Sequence, residues 1–360
     1  MKSLTILAIN PGSTSTKVAL FRDAEEIWSD TQRYDIDRIR EFSNIPAQEP
    51  FRFEEIRKAL KKRGTKVSGL DAVVGRGGLL RPIPGGTYSV NEPMLEDLRS
   101  CRFGSHACNL GAPLAKSIAE EAGGKPAFIV DPVVVDELMD EARLSGIPEI
   151  ERRSIFHALS QKAVARRAAV DIGKTYESVN LVVAHMGGGI SVGAHLKGRV
   201  IDVNNALDGE GPFAPERAGS LPAGELVKFA FSGEMELGDL MRRIVGGGGL
   251  VAHLGTNDLR EVERRAREGD QKADLIFRAM AYQVAREIGS RAASLSGDVD
   301  AIVLTGGLAF SEAFVKSITE RVSFIAPVKV YTGEDEMRAL AEGALRVLSG
   351  VESALEYITA

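Results

Sequence analysis

The feature that most constrains this chain is a strand–turn–strand pattern that occurs twice, at residues 7–20 and again at 182–194. Each copy has an apolar strand, a short turn rich in glycine or hydroxyl side chains, and a second strand. Strand and helix patterns alternate along the chain, which predicts an α/β fold. We expect two similar actin/ribonuclease-H-like domains with an interdomain cleft. The first would span 1–150 with a C-terminal helix at 340–360, and the second would span 151–339.

The clearest helix pattern covers residues 273–295, where apolar residues recur every four positions from Ile276 to Ala292. Such a stripe is typical of a helix packed on a core. Several predicted strands are continuously apolar, as expected for strands covered on both faces. The predicted strands are 4–9, 16–21, 72–74, 127–130, 181–184, 201–203, 301–304 and 328–331.

Charge and composition exclude several classes of protein. The net charge of −5 disfavours general binding to nucleic acid or to an anionic membrane. No apolar run approaches the roughly 18 residues of a membrane span, and the N-terminal residues resemble a strand more than a signal peptide. Two cysteines, Cys101 and Cys108, cannot form a disulfide scaffold. These features predict a soluble cytoplasmic protein.

Residues 10–17 (NPGSTSTK) form a turn that suits an oxyanion such as phosphate. Asn10, Ser13, Ser15 and Lys17 supply amide, hydroxyl and ammonium donors there, beside the backbone N–H groups of the turn. A hydrophilic hairpin without a ligand explains the same residues equally well. The segment is not a Walker A loop, because its glycine–lysine spacing is absent from the chain.

Two further glycine turns directly follow apolar strands. The first contains His185 and the glycines Gly187, Gly188 and Gly189, and the second contains Gly306 and Gly307. Ligands in α/β folds bind beyond the carboxyl ends of strands, so together these turns indicate a binding site. A fourth cluster at residues 246–249 follows a helix pattern and is interpreted as a flexible loop.

Several charged residues stand at strand ends or in loops. Arg76 follows a strand among glycines, Arg217 lies in a loop, and a guanidinium binds carboxylate or phosphate with two hydrogen bonds. Asp131 follows the strand at 127–130, where a carboxylate is often catalytic. Asp258, with Arg260, has the alternative role of a helix N-cap. Glu334 and Glu336 stand near the start of the last helix and could simply interact favourably with its dipole. Either could also bind Mg²⁺, since one carboxylate together with substrate phosphates suffices for that ion.

These motifs, in this order along nearly the whole chain, resemble the acetate kinase family of the sugar kinase, heat-shock protein and actin superfamily. Residues 9–17 are similar to the family's opening signature, and Asp131, His157, the His185 turn and the 305–307 turn follow in family order. Three segments resemble the butyrate kinase branch of that family more closely. They are 10–17, 105–112 (SHACNLGA) and 216–222 (ERAGSLP).

The resemblance implies ATP-dependent phosphorylation of a short-chain carboxylate, most closely butyrate or a branched four- to five-carbon acid, giving an acyl phosphate and ADP. It implies that Arg76, Arg217, His157 and Asp131 act at the reacting centre. It assigns phosphate and nucleotide binding to the following residues: Asn10, Ser13, Ser15, Lys17, His185, Gly187, Gly188, Gly189, Asp258, Arg260, Gly306 and Gly307. Mg²⁺ would be held by Glu336 with Asn10, with Glu334 as the fallback for Glu336.

Two departures from the acetate-specific pattern concern the substrate. Gln161 stands where those members carry a second histidine, four residues after His157. Gly78 stands where they carry a branched apolar residue beside the substrate methyl group, so a larger acyl pocket is expected there. The resemblance places His106 in the same pocket. It also implies a homodimer or a higher homo-oligomer.

Three other functions stay open from the sequence. One is an acetate or propionate kinase. Another is a sugar kinase of the same superfamily, with Asp131 as the base for a hydroxyl nucleophile. The last is a non-catalytic, actin-like assembly protein, against which the pair Arg76 and Arg217 and the presence of His157 argue.

Overall fold

The computed structural model describes residues 3–333 and 335–358. The chain forms two compact units: Met1–Val135 with Asp335–Ala360, and Asp136–Glu334. These limits differ from the predicted 150 and 339. Residues just after 135 belong to the second unit because Glu137 accepts hydrogen bonds there from the Lys162 ammonium and the Val200 amide. The last helix joins the first unit from its first turn, where the amide of Asn10 donates to Glu336.

The first unit is built on a seven-stranded sheet in the order β12-β5-β6-β4-β1-β2-β3. Strands β1 to β3 form an antiparallel meander, and β4 and β6 extend the sheet in parallel from β1. The strands are β1 (Thr5–Gly12), β2 (Ser15–Arg22), β3 (Glu25–Arg33), β4 (Ala72–Arg76), β5 (Thr87–Ser89), β6 (Ala127–Val130) and β12 (Leu355–Glu356).

Helices cover both faces of this sheet, since successive residues of β1, such as Leu7 and Ala8, are all buried. Alternate apolar residues of β1, including Leu7, share a core with the helix at 111–121, while the last helix contacts β1, β4 and β6. The helices of the first unit are α1 (Ile36–Arg40), α2 (Glu49–Lys62), α3 (Glu92–Arg99), α4 (Gly111–Glu121) and α13 (Glu336–Leu348).

The second unit has a five-stranded sheet in the order β11-β10-β7-β8-β9. Its strands are β7 (Asn180–Met186), β8 (Ile190–Leu196), β9 (Arg199–Val203), β10 (Ala301–Gly306) and β11 (Val328–Thr332). Its helices are α5 (Asp140–Arg143), α6 (Ala158–Asp171), α7 (Ala223–Ala230), α8 (Leu237–Ile244), α9 (Gly249–Leu254), α10 (Leu259–Arg267), α11 (Gln271–Ser294) and α12 (Glu312–Val322).

Both units contain the same five-strand arrangement: an antiparallel meander of three strands, extended from its first strand by two parallel strands. In the second unit α6 packs on one face of the sheet, and α11 with α12 packs on the other. The predicted stripe of α11 lies in that second core, with Met280, Val284 and Ile288 fully buried. The predicted α/β fold with two similar actin-like domains is confirmed.

Within the described residues, none of the helices has the length and apolar character that crossing a membrane requires.

Candidate active site

In the first unit, three predicted site residues meet where β1 and β4 end and α13 begins. The Asn10 amide donates to Oε2 of Glu336 at 2.7 Å, and Nη1 of Arg76 donates to Oε1 at 2.5 Å. Because β1 and β4 are parallel neighbours, their carboxyl ends lie side by side and deliver Asn10 and Arg76 to the same carboxylate. Glu336 is the first residue of α13, a favourable place for a carboxylate beside the helix dipole. Glu334 lies outside the described residues.

The turn at Ser13 and Thr14 joins β1 to β2. A buried arginine donates hydrogen bonds to its backbone carbonyls. Arg52 of α2 donates to the carbonyl oxygens of Gly12 at 2.7 Å, Ser15 at 2.8 Å and Ser13 at 3.0 Å. With these carbonyls directed toward a guanidinium, the turn keeps its remaining hydrogen-bonding capacity for a ligand. Lys17 lies exposed on β2, opposite Asn10 in the strand pairing.

Arg52 is fully buried, and its guanidinium also donates to the Gln48 side chain and to Thr16 Oγ1. Burial lowers the pKa of Arg52. Sequence reasoning missed this residue, although it left a signal. Arg52 lies on the buried stripe of α2 together with Ile56, one helical turn away, and a charged residue at a core position is rarely there without a role.

Asp131 and His106 are two further predicted site residues of the first unit. Asp131 directly follows β6, is buried, and accepts a hydrogen bond from the Gly86 amide at 2.7 Å. Its φ of 37° lies in the left-handed region, where a residue other than glycine is strained. His106 has its Nδ1 3.0 Å from Cys108 Sγ; burial, and then the charge of Arg76, lowers the pKa of His106.

The expected enlargement of the pocket at Gly78 is not present at its Cβ position. A Cβ there would lie 2.6 Å from Leu98 Cδ2 and 2.7 Å from Asn109 Cα, closer than packed atoms approach. The space that a side chain would need is already filled by neighbours within the first unit. Gly78 therefore permits close packing of α3 and the 107–110 turn, which is a structural reason for the glycine.

In the second unit, the glycine turn between β7 and β8 is flanked by two histidines and an arginine. The rings of His157 and His185 stack with centroids 4.0 Å apart. A Cβ on Gly189 would lie 3.8 Å from both His157 Cε1 and Arg217 Cγ, so these side chains converge on the turn. The buried Nε of Arg217 has no hydrogen-bond partner among the described residues, which suits an anionic ligand.

Five of the predicted nucleotide-binding residues line one cavity of about 770 Å³ in the second unit: Gly187, Gly188, Asp258, Arg260 and Gly307. Asp258 is also the N-cap of α10 and pairs with Arg260 at 2.7 Å, so the alternative N-cap role is real. The hydrogen bond from Arg260 lowers the pKa of Asp258. Gly306 ends β10 with a φ of 92°, a conformation that glycine adopts without strain.

The cavity also has lining residues that sequence reasoning missed. Glu216 accepts a hydrogen bond from the Asn257 amide at 2.6 Å, and its backbone N–H donates to the Gly188 carbonyl. Phe310 is largely exposed in the lining and offers an aromatic surface. Glu216 directly precedes Arg217, and Arg217 was the residue by which the sequence indicated this loop.

Residues 246–248 form a loop, as expected, and Gly249 begins α9. The backbone N–H of Gly246 donates to the Glu216 carbonyl at 2.7 Å, and that of Leu250 donates to the Ala214 carbonyl. A Cβ on Gly249 would overlap the Ala214 carbonyl oxygen, and its φ of 59° is left-handed. The glycines therefore let this segment pack closely against residues 214–217 and hydrogen-bond to the backbone on either side of Arg217.

Comparison with known proteins identifies the family of this chain. The sequence model of the acetokinase family matches residues 145–353. Butyrate kinase 2 of Clostridium acetobutylicum is 56% identical over 352 residues, covering 98% of this chain and 99% of that protein. The chain belongs to the acetokinase family.

The fold of this acetokinase is similar to solved structures of low sequence identity. Acetate kinase of Porphyromonas gingivalis superposes with a TM-score of 0.78 at 18% identity, covering 96% of this chain and all of the other. A propionate kinase of Francisella tularensis gives 0.74 at 19% identity, covering 94% and 98%. The family predicted from the sequence motifs is confirmed, and so is the fold.

Proposed function

We propose that this acetokinase transfers the γ-phosphoryl group of ATP to the carboxylate of butyrate, or of a branched four- to five-carbon acid, in a reversible reaction. The observation that carries the proposal is the 56% identity to a butyrate kinase over 98% of the chain. The two sets of predicted side chains, one in each unit, supply the groups that this reaction requires.

The chemistry needs positive charge rather than a base. A short-chain carboxylic acid resembles a glutamic acid side chain, with a pKa of about 4.3, so it is already a nucleophilic anion at neutral pH. Phosphoryl transfer then depends on positioning and charge neutralisation. Arg76 and Arg217 bring guanidinium groups, and His157 brings an imidazole donor. We assign these residues to the carboxylate and the transferred phosphoryl group, with Asp131 at the same centre.

The nucleotide is assigned to the cavity of the second unit. The Gly187–Gly189 turn and Gly306–Gly307 offer backbone N–H groups without side chains, so phosphates can approach closely. Asp258 and Arg260 provide paired polar groups at the lining, and His185 stands at the base of the turn. Asn10, Ser13, Ser15 and Lys17 are assigned to phosphate contacts in the first unit.

Mg²⁺ fits the donor set at Glu336. Magnesium sites commonly combine one or two carboxylates with substrate phosphates and water, and Glu336 is a carboxylate held at a strand end by Asn10. The ion would neutralise phosphate charge when bound. Glu336 now neutralises Arg76, so a cation at this carboxylate would release the Arg76 guanidinium for an anionic substrate.

A series of carboxylic acids tests the proposal. The purified protein is incubated with Mg-ATP and acetate, propionate, butyrate, isobutyrate or valerate, and acyl phosphate is trapped with hydroxylamine. We expect the highest kcat/KM with butyrate or isobutyrate. A maximum with acetate would keep the phosphoryl transfer and refute the assigned chain length, and no acyl phosphate from any acid would refute the function.

We further propose a cytoplasmic location, because the reaction consumes ATP and both cysteines are free thiols. Burial raises the pKa of Cys108 to about 11, so this thiol is protonated and unreactive at neutral pH. Association into a homodimer or a higher homo-oligomer is part of the same proposal. Light scattering at several protein concentrations measures it directly.

A further inference from the structure

A chain of buried hydrogen bonds starts at His157 and runs into the core of the second unit. Nδ1 of His157 lies 2.8 Å from Ser191 Oγ. Nε2 of Gln161 donates to the same oxygen at 2.7 Å and to the Ser191 carbonyl at 3.0 Å. Gln161 and Ser191 are both fully buried.

The chain continues on the other side of the Gln161 amide. Oε1 of Gln161 lies 2.9 Å from His195 Nε2, and His195 Nδ1 lies 2.8 Å from the Tyr176 hydroxyl. His195 is fully buried. Burial, reinforced by the charges of Lys162 and Arg166, holds the pKa of His195 well below its ordinary value, so this ring is neutral.

The chemistry of these groups gives every hydrogen bond a direction. The Ser191 carbonyl can only accept, so the amide nitrogen of Gln161 must face it and the amide oxygen must face His195. That oxygen requires a proton on His195 Nε2. Since His195 is neutral, its Nδ1 carries no proton and accepts from the Tyr176 hydroxyl.

The same logic determines which ring nitrogen of a neutral His157 carries the proton. Ser191 Oγ already accepts from Gln161 Nε2 and, at 3.5 Å, from the backbone N–H of His157. Its own proton is therefore available for His157 Nδ1. A neutral His157 that accepts at Nδ1 carries its proton on Nε2.

We propose that Gln161 is a positioning residue that holds His157 in the Nε2–H tautomer through Ser191. The inference rests on the proposed function, in which His157 donates a hydrogen bond to the transferred phosphoryl group. The opposite tautomer would present a lone pair to an anion and remove that donor. Stacking on His185 then keeps the ring in its place beside the glycine turn.

Nuclear magnetic resonance of protein labelled with ¹⁵N-histidine tests the tautomer without substrate. Five histidines give few signals, and His157→Asn assigns the one of interest. We expect the wild-type signal of His157 to show a protonated Nε2 and an unprotonated Nδ1. A wild-type His157 with its proton on Nδ1 would overturn the proposal.

Gln161→Met is the decisive variant because it keeps the unbranched shape and removes the amide donor. Without that donor, Ser191 Oγ can accept from Nδ1 of His157 as well as donate to it, so a mixture of tautomers replaces the single Nε2–H form. Gln161→Leu removes the same donor and should give the same mixture. We expect kcat to fall roughly tenfold or more in both, with KM for the acid within about threefold, since the group acts in the transition state.

Gln271→Met is the matched control, since it makes the same chemical change at an exposed position in α11 and should alter neither readout. An unchanged His157 tautomer and an unchanged kcat in both Gln161 variants would overturn the proposal. The spectrum is recorded without substrate, so it stays informative if no acyl phosphate forms. Failure of the proposed function is thereby separated from failure of this inference.

Discussion

Arg52 gives the sharpest test of how the phosphate-binding turn is built. Replacing it by methionine keeps most of its volume and removes the guanidinium. Three carbonyls that face the buried guanidinium, those of Gly12, Ser13 and Ser15, then lose their donor. An acceptor orphaned away from water costs about 1–3 kcal/mol, and because these residues are half-buried or exposed each carbonyl counts at the low end. We expect the lower end of the total, about 3 kcal/mol, because the variant no longer has a charge to desolvate.

The single tryptophan makes this loss measurable in the unit concerned. Trp28 lies on β3 opposite Leu20 of β2, so its fluorescence reports unfolding of the first unit. The free energy of unfolding is measured in urea for wild type, Arg52→Met and Arg57→Met. Arg57 is a surface residue of the same helix with exposed ion pairs, so its variant should leave the free energy of unfolding nearly unchanged.

We also expect Arg52→Met to raise KM for ATP. Without the hydrogen bonds from Arg52, the turn is no longer held in the conformation that directs its N–H groups toward phosphate. A change in unfolding free energy equal to that of Arg57→Met would refute the reasoning. So would normal KM and stability together in Arg52→Met. Arg52→Lys, which restores charge but only one donor nitrogen, should recover part of the stability and little of the KM.

Three further predictions concern other residues. Gly78→Ala should cost about 1–3 kcal/mol in a urea melt through overlap with Leu98, and should leave the acid preference of the trapping assay unchanged; a shifted preference would restore Gly78 to the acyl pocket. The pKa of His195 is lowered in the folded protein, so below about pH 6.5 the unfolded state binds a proton that the folded state does not. The free energy of unfolding is therefore highest above that pH, and it falls by up to about 1.4 kcal/mol for each pH unit below it. Hydrogen exchange of the β8 amides measures this dependence, and the His195→Gln variant should lack the part due to the histidine. The same pH slope in wild type and variant would contradict the prediction. Arg76→Ala and Arg217→Ala should each lower kcat at least about a hundredfold with circular dichroism unchanged, whereas Arg278→Ala, at an exposed pair on α11, should be active; near-normal turnover in either would remove it from the site.

Much of the architecture was predictable because strand and helix periods are local. The continuous apolar character of β7 and β10 indicated strands covered on both faces, and the stripe of α11 indicated the helix that covers one of them. The two strand–turn–strand units indicated a duplicated fold, and the family signature within the first of them identified the chemistry.

Contacts that join distant segments were not predictable, because a periodic pattern records burial without naming a partner. Glu336 was expected to hold a metal, and the structure adds that its carboxylate pairs with Arg76, 260 residues earlier in the chain. The placement of Gly78 against Leu98 also depends on how α3 packs, which no local pattern contains. The neighbours of Gly78 give the glycine a packing reason that the sequence did not contain.

The sequence alone determined the α/β class, the repeat of the domain and the acetokinase family, since each depends on residue type and order along the chain. Only the tertiary structure decided which groups neutralise, hydrogen-bond to or orient the side chains and backbone of the site. Arg52 acts on a turn that is forty residues away, and Gln161 acts on His157 through a serine of β8. Hydrogen bonds require distance and direction, and folding alone brings those donors and acceptors together.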